Sequence, residues 1–168
     1  MTIEEALKTA IVYETRVWTV YIDALKQATN KIGRRVFGVL AGEEQGHLKY
    51  LKSRLDEWEK TGSITVENLK TAIPSRKAID EEHKKLNAKL GESPKGSEIT
   101  MLTKARDLEI ETSNFYKKMV SELSGDEQKL FARFVEIEEG HLALVQAELD
   151  AVSGNGSVSY THLRAHET

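Results

Sequence analysis

The chain has 168 residues, 39% apolar and 30% charged, with a net charge near −3, two prolines and no cysteine. That length suffices for one domain with a full core, and the absence of cysteine excludes disulfides, thiolate-bound zinc or iron, and cysteine nucleophiles. The charge balance gives no push toward nucleic acid, and no apolar run approaches the ~20 residues of a membrane span.

The opening stretch MTIEEALKTA is acidic where a secretory signal would be basic, so a cytoplasmic protein is expected. Thr2 and Glu5 make a capping-box pair that starts a first helix. Leu7, Ile11, Trp18, Tyr21, Ile22 and Leu25 then recur at helical spacing as far as about Ala28. ATNKIG reads as a turn. A second helix runs from about Gly33 to Lys60 and stops at Thr61-Gly62. The connection over residues 62–96 holds a candidate short helix from about Arg76 to Lys89, then the breaker-dense GESPKGS. A third helix spans from near Ser97 to about Leu123. A fourth spans from about Asp126 to Val152, with Ser124 and Glu127 spaced for a second capping box. Trp18, Phe37, Phe115 and Phe131 are expected in the core.

Helix pair, long connection, helix pair predicts an all-α, ferritin-like four-helix bundle with one long crossover between helices 2 and 3. The bundle is expected over residues 1–152 and a disordered tail over 153–168. The end of that tail, SVSYTHLRAHET, resembles a translated sequencing-adaptor read and is expected to be partly non-native, which sets His162 and His166 aside.

The halves repeat. A shift of 94 places Phe37 on Phe131, Glu44 on Glu138, Gly46 on Gly140 and His47 on His141; a shift of 95 places Glu14 on Glu109 and Tyr21 on Tyr116. Residues three apart share a helix face, so Glu44 with His47 and Glu138 with His141 point into the bundle, joined by Glu14 and Glu109. Their neighbours Leu40, Leu48, Leu51, Phe134, Leu142 and Val145 mark the same positions as core. Four buried carboxylates repel one another, and each buried ion costs several kcal/mol. Two divalent cations cancel that charge, and shared carboxylates would set them about 3.5–4 Å apart. Oxygen and imidazole donors without thiolate suit iron or manganese.

Tyr21 and Tyr116 sit two turns past a ligand glutamate; each either hydrogen-bonds a carboxylate on another helix or fills core. Gly46 and Gly140, each beside a histidine, are expected to keep that spot small, for access to the metals or for close helix packing. Asp80-Glu81-Glu82-His83 has a similar spacing but no repeat mate, and reads as an exposed helix face.

The stretches YETRVWTVY, EEQGHL, EIETSNFYKKM and EIEEGHL resemble the rubrerythrin branch of the ferritin-like di-iron carboxylate proteins, over about residues 3 to 152. The resemblance implies two iron ions held by Glu14, Glu44, His47, Glu109, Glu138 and His141, reacting with hydrogen peroxide or dioxygen in a homodimer or larger homo-oligomer. Two departures are visible. Rubrerythrins usually carry a four-cysteine rubredoxin domain, so electrons here are expected from a separate rubredoxin-like donor or from the ferrous ions themselves. They also tend to carry an extra glutamate one turn past the first ligand of helix 3, where this chain has Thr112; Glu111 turns to a different face. That makes the six-ligand set more like bacterioferritin, and a ferroxidase or iron-storage role is the alternative.

Overall fold

The computed structural model describes residues 1–67, 69–74 and 96–153. They form four helices, α1 (Ile3–Gln27), α2 (Lys31–Thr61), α3 (Gly96–Glu122) and α4 (Gly125–Val152), with no strand among the described residues. The expected helix at Arg76 to Lys89, His83, and the tail beyond Ser153 with His162 and His166 lie outside the described residues.

Sequence-local chemistry sets most boundaries. Thr2 Oγ1 accepts from the Glu5 amide at 3.2 Å and the Glu5 carboxylate accepts from the Thr2 amide at 3.1 Å, a complete capping box. α2 ends at Gly62, whose φ of +73° suits glycine and lets its amide bond the Trp58 carbonyl at 2.8 Å. α2 begins two residues before the expected start, where the Arg34 amide bonds the Asn30 carbonyl at 2.9 Å, and the Arg34 side chain bonds the carbonyls of Leu25 and Ala28 at 3.0 and 3.2 Å. The second capping box does not form: Ser124 occupies the N-cap of α4, but its side chain makes no capping bond.

Two apolar clusters fill the interior. One gathers Val17, Tyr21 and Ala24 of α1, Phe37 and Leu40 of α2, Leu102 and Ala105 of α3, and Val145 and Leu149 of α4. The other gathers Ile3, Leu7 and Ala10, then Leu51, then Phe115, Tyr116 and Met119, then Leu130, Phe131 and Phe134. α1 and α4 therefore run from the second cluster to the first, while α2 and α3 run the other way. Parallel α2 and α3 require a connection that returns along the whole bundle, which makes this a ferritin-like four-helix bundle with one crossover. α1 packs on α2 and α3, and α3 on α4.

Phe37, Phe115 and Phe131 are buried as expected, but Trp18 is only half-buried. The inner stripe of α1 follows Leu7, Glu14 and Tyr21, which leaves position 18 on its edge.

Candidate metal centre

Between the two apolar clusters lies one polar layer. On every helix it falls where the chain passes from one cluster to the other: Glu14 on α1, Glu44 and His47 on α2, Glu109 on α3, Glu138 and His141 on α4. All six side chains are buried. The helical periodicity that builds the core stripes aims these residues inward.

Their donor atoms form two groups. Glu14, Glu44, His47 and Glu138 bring one ligand atom each to within 4.8 Å of one another, and so do Glu44, Glu109, Glu138 and His141. Glu44 and Glu138 belong to both. Each group could hold one cation, with those two carboxylates shared.

Contacts within the layer are close. His47 Nδ1 lies 3.3 Å from Glu14 and 3.5 Å from Glu44, and His141 Nδ1 lies 3.1 Å from Glu44 and 3.7 Å from Glu109. The two imidazole rings stack 5.1 Å apart, 10° from parallel. Tyr116 on α3 donates to Glu14 on α1 at 2.6 Å, and Tyr21 on α1 donates to Glu109 on α3 at 3.3 Å. The hydrogen-bonding alternative for the tyrosines is thus the one seen, and it is reciprocal.

Protons balance the charge within the layer. Burial raises Glu44 and Glu138 well above the usual carboxylate range, and the neighbouring glutamates raise them further. Burial also works against ionised Glu14 and Glu109, but the adjacent Glu44 or Glu138 and the facing histidine outweigh it; Glu14 falls to about 2, and Glu109 is lowered as well. Burial opposes charge on His47 and His141, yet the glutamates beside them hold His47 up at about 10 and raise His141 well above its ordinary value. These shifts favour charge on the two imidazoles and on Glu14 and Glu109, with Glu44 and Glu138 held toward the protonated form.

Hydrogen bonding remains incomplete. Glu14 Oε2, Glu44 Oε2, Glu109 Oε2, both oxygens of Glu138, both nitrogens of His47 and Nε2 of His141 are buried without a hydrogen-bond partner among the described residues. Each such atom costs about 1–3 kcal/mol. Carboxylate oxygens and imidazole nitrogens left open in one dry layer are the donor set of a hard-to-borderline cation such as iron or manganese, so the residues present fit a two-metal centre.

The family model described as Rubrerythrin matches residues 5–149. The chain belongs to the rubrerythrin family. No curated protein and no solved structure matches it. The match takes in α2 and α3 whole and all but the outer ends of α1 and α4, and no helix among the described residues is long and apolar enough to cross a membrane.

Sequence reasoning missed Glu43. It is half-buried on α2, with Oε1 3.5 Å from His141 Nε2, and it groups with His47 and His141 as a third set of close donors. The Thr71 hydroxyl and the Ala72 amide both donate to its carboxylate. Burial works against its charge, but His141, Thr71 and Ala72 lower it to about 2. A break in the repeat could have flagged it, because the shift of 94 that pairs Glu44 with Glu138 sets Glu43 on Ile137.

Thr112 is buried and turns its hydroxyl to the Leu108 carbonyl of its own helix at 2.8 Å, while Glu111 is exposed. No fifth carboxylate enters the layer from α3 among the described residues. The steric reading of the glycines holds at only one of them. A Cβ on exposed Gly46 would meet nothing within 4 Å, so that glycine clears no path to the centre. A Cβ on Gly140 would lie 3.1 Å from the Pro74 carbonyl oxygen and 3.8 Å from Ile73; its partner is the strap of residues 69–74, not another helix.

Proposed function

We propose that this chain is a di-iron oxidoreductase that reduces hydrogen peroxide or dioxygen. The observation that carries the reading is the pair of four-donor groups sharing Glu44 and Glu138. Glu14 and His47 would be the remaining ligands of one metal, and Glu109 and His141 those of the other. Two ferrous ions held there would supply the two electrons and, with two protons, take hydrogen peroxide to water or dioxygen to hydrogen peroxide, and a separate rubredoxin-like donor would restore the electrons; manganese is the other metal the donor set suits. Glu44 and Glu138, which belong to both donor groups, would give up their protons when metal binds. Tyr116 and Tyr21 orient Glu14 and Glu109 through their hydroxyls, which burial and the nearby glutamates keep protonated. The apolar clusters above and below exclude bulk water from the layer. We place the protein in the cytoplasm as a homodimer or larger homo-oligomer.

Thr112, where a fifth carboxylate is expected, supports a second reading as a ferroxidase of bacterioferritin type. Anaerobic ferrous reconstitution tests both. About two irons per chain, then rapid growth of near-ultraviolet ferric absorption on adding peroxide, supports peroxide reduction. Faster oxidation by dioxygen than by peroxide supports the ferroxidase. Glu138→Ala should lower iron content and slow oxidation, and unchanged content would sink the assignment.

A further inference from the structure

The internal repeat makes the six donors equivalent in pairs, but what stands behind the two histidines is not. Each presents Nδ1 to the carboxylate cluster. Behind His141, the Glu43 carboxylate lies 3.5 Å from Nε2. Thr71 and Ala72 grip that carboxylate from the strap, Ile73 is buried in the core, and Gly140 leaves room for Pro74. Neither Nε2 makes a hydrogen bond among the described residues. The difference is the carboxylate: those paired with His47 all face its Nδ1, and the residue in register with Glu43 is the buried Ile137.

Resting on the two-metal reading above, we propose that Glu43 is a positioning residue for His141, and that it makes the two metal positions unequal. When Nδ1 gives its lone pair to a metal, Nε2 carries the proton. A carboxylate that accepts this proton in a hydrogen bond fixes the ring and strengthens Nδ1 as a donor. Such contacts are often long before the metal arrives and tighten afterwards, which suits the 3.5 Å seen here. Glu43 comes within 4.8 Å of His47 too, but the closer pairing at 3.5 Å is with His141. The position formed by Glu44, Glu109, Glu138 and His141 therefore fills first, and the one formed with Glu14 and His47 fills second.

Cobalt(II), which binds such donors without reacting with air in the same way as ferrous iron, is the probe. Calorimetric titration of the whole chain should resolve two uptake steps. Glu43→Ala should weaken the tighter step by about 10–100-fold and leave the other in place. Glu43→Gln, of the same shape but uncharged, should shift the same step less. Thr71→Val separates positioning from mere anchoring of the strap, since it removes the strap's hydroxyl and keeps the carboxylate; it should retain two unequal steps. In proton spectra of the cobalt-loaded protein, one paramagnetically shifted imidazole N–H signal should move in Glu43→Ala and the other should stay. Two equal steps in the unaltered chain, equal weakening of both steps in Glu43→Ala, or a Thr71→Val that copies Glu43→Ala would overturn the proposal while leaving the metal centre standing. No cobalt uptake at all by the unaltered chain would overturn both.

Discussion

Burial and the neighbouring glutamates raise Glu44 and Glu138 toward the protonated form, and the adjacent glutamates hold His47 and His141 toward the imidazolium form. Cation uptake must displace those protons. In weakly buffered solution near neutral pH, loading ferrous ion or cobalt should acidify the medium, with Glu44, Glu138, His47 and His141 as sources. Because bound protons compete, apparent affinity should rise with pH; calorimetry in buffers of different ionisation enthalpy measures the proton count, and an affinity independent of pH would contradict this balance. The tyrosines offer a second check at this scale. Tyr116 donates to Glu14 at 2.6 Å and Tyr21 to Glu109 at 3.3 Å. A hydrogen bond to a charged group is worth about 1.5–3 kcal/mol. Tyr116→Phe should therefore lower stability by about that much and Tyr21→Phe by less, as read from denaturant midpoints at unchanged slope.

The elements were legible to different depths. Thr2 and Glu5 announced α1 because a capping box is a contact between near neighbours. Ser124 and Glu127 have the same spacing, but only a side-chain rotation decides whether the bond is made, and here it is not. The meeting of Glu14, Glu44, His47, Glu109, Glu138 and His141 in one buried layer was legible because the 94- and 95-residue repeats placed them in register on apolar stripes. Glu43 was not, because a second charged residue beside Glu44 reads as solvated helix surface until the strap of residues 69–74 is seen over it. The glycines show the same limit. Gly46 and Gly140 match in sequence, but only Gly140 meets the strap. A glycine inside a helix costs about 1 kcal/mol against alanine, so Gly46→Ala should stabilise by up to about that amount. Gly140→Ala should forfeit the gain, because its Cβ would press on the Pro74 carbonyl at 3.1 Å and the strap backbone there must give by a few tenths of an ångström. Paired thermal melts decide it, and equal stabilisation by both substitutions would remove the strap from the account.

Across the whole bundle, buried acid is not confined to the centre. Glu98 near the start of α3 accepts from the Thr29 amide in the α1–α2 turn at 3.3 Å. Glu148, near the end of α4, is buried at the same end of the bundle, and that burial, with Glu98 adding repulsion, pushes its carboxyl up from 4.5 to about 7. The sign follows from which state holds the proton. Between about pH 4.5 and 7 the folded chain keeps a proton on Glu148 that the unfolded chain has released. Stability therefore falls as pH rises through that window, and above it the fold carries an ionised, poorly solvated carboxylate. A tenfold change in a carboxyl's affinity for its proton is worth about 1.4 kcal/mol, so Glu148→Gln should stabilise the protein by about 2–3 kcal/mol at pH 8 and by almost nothing at pH 4. In a chain of this size that is a rise in melting temperature of about 5–10 °C at the higher pH. The measurement belongs on metal-free protein, where uptake at the centre adds no pH dependence of its own. An effect of the same size at both pH values would mean that Glu148 titrates alike in the folded and unfolded chain, and that this end of the bundle is wetter than its packing indicates.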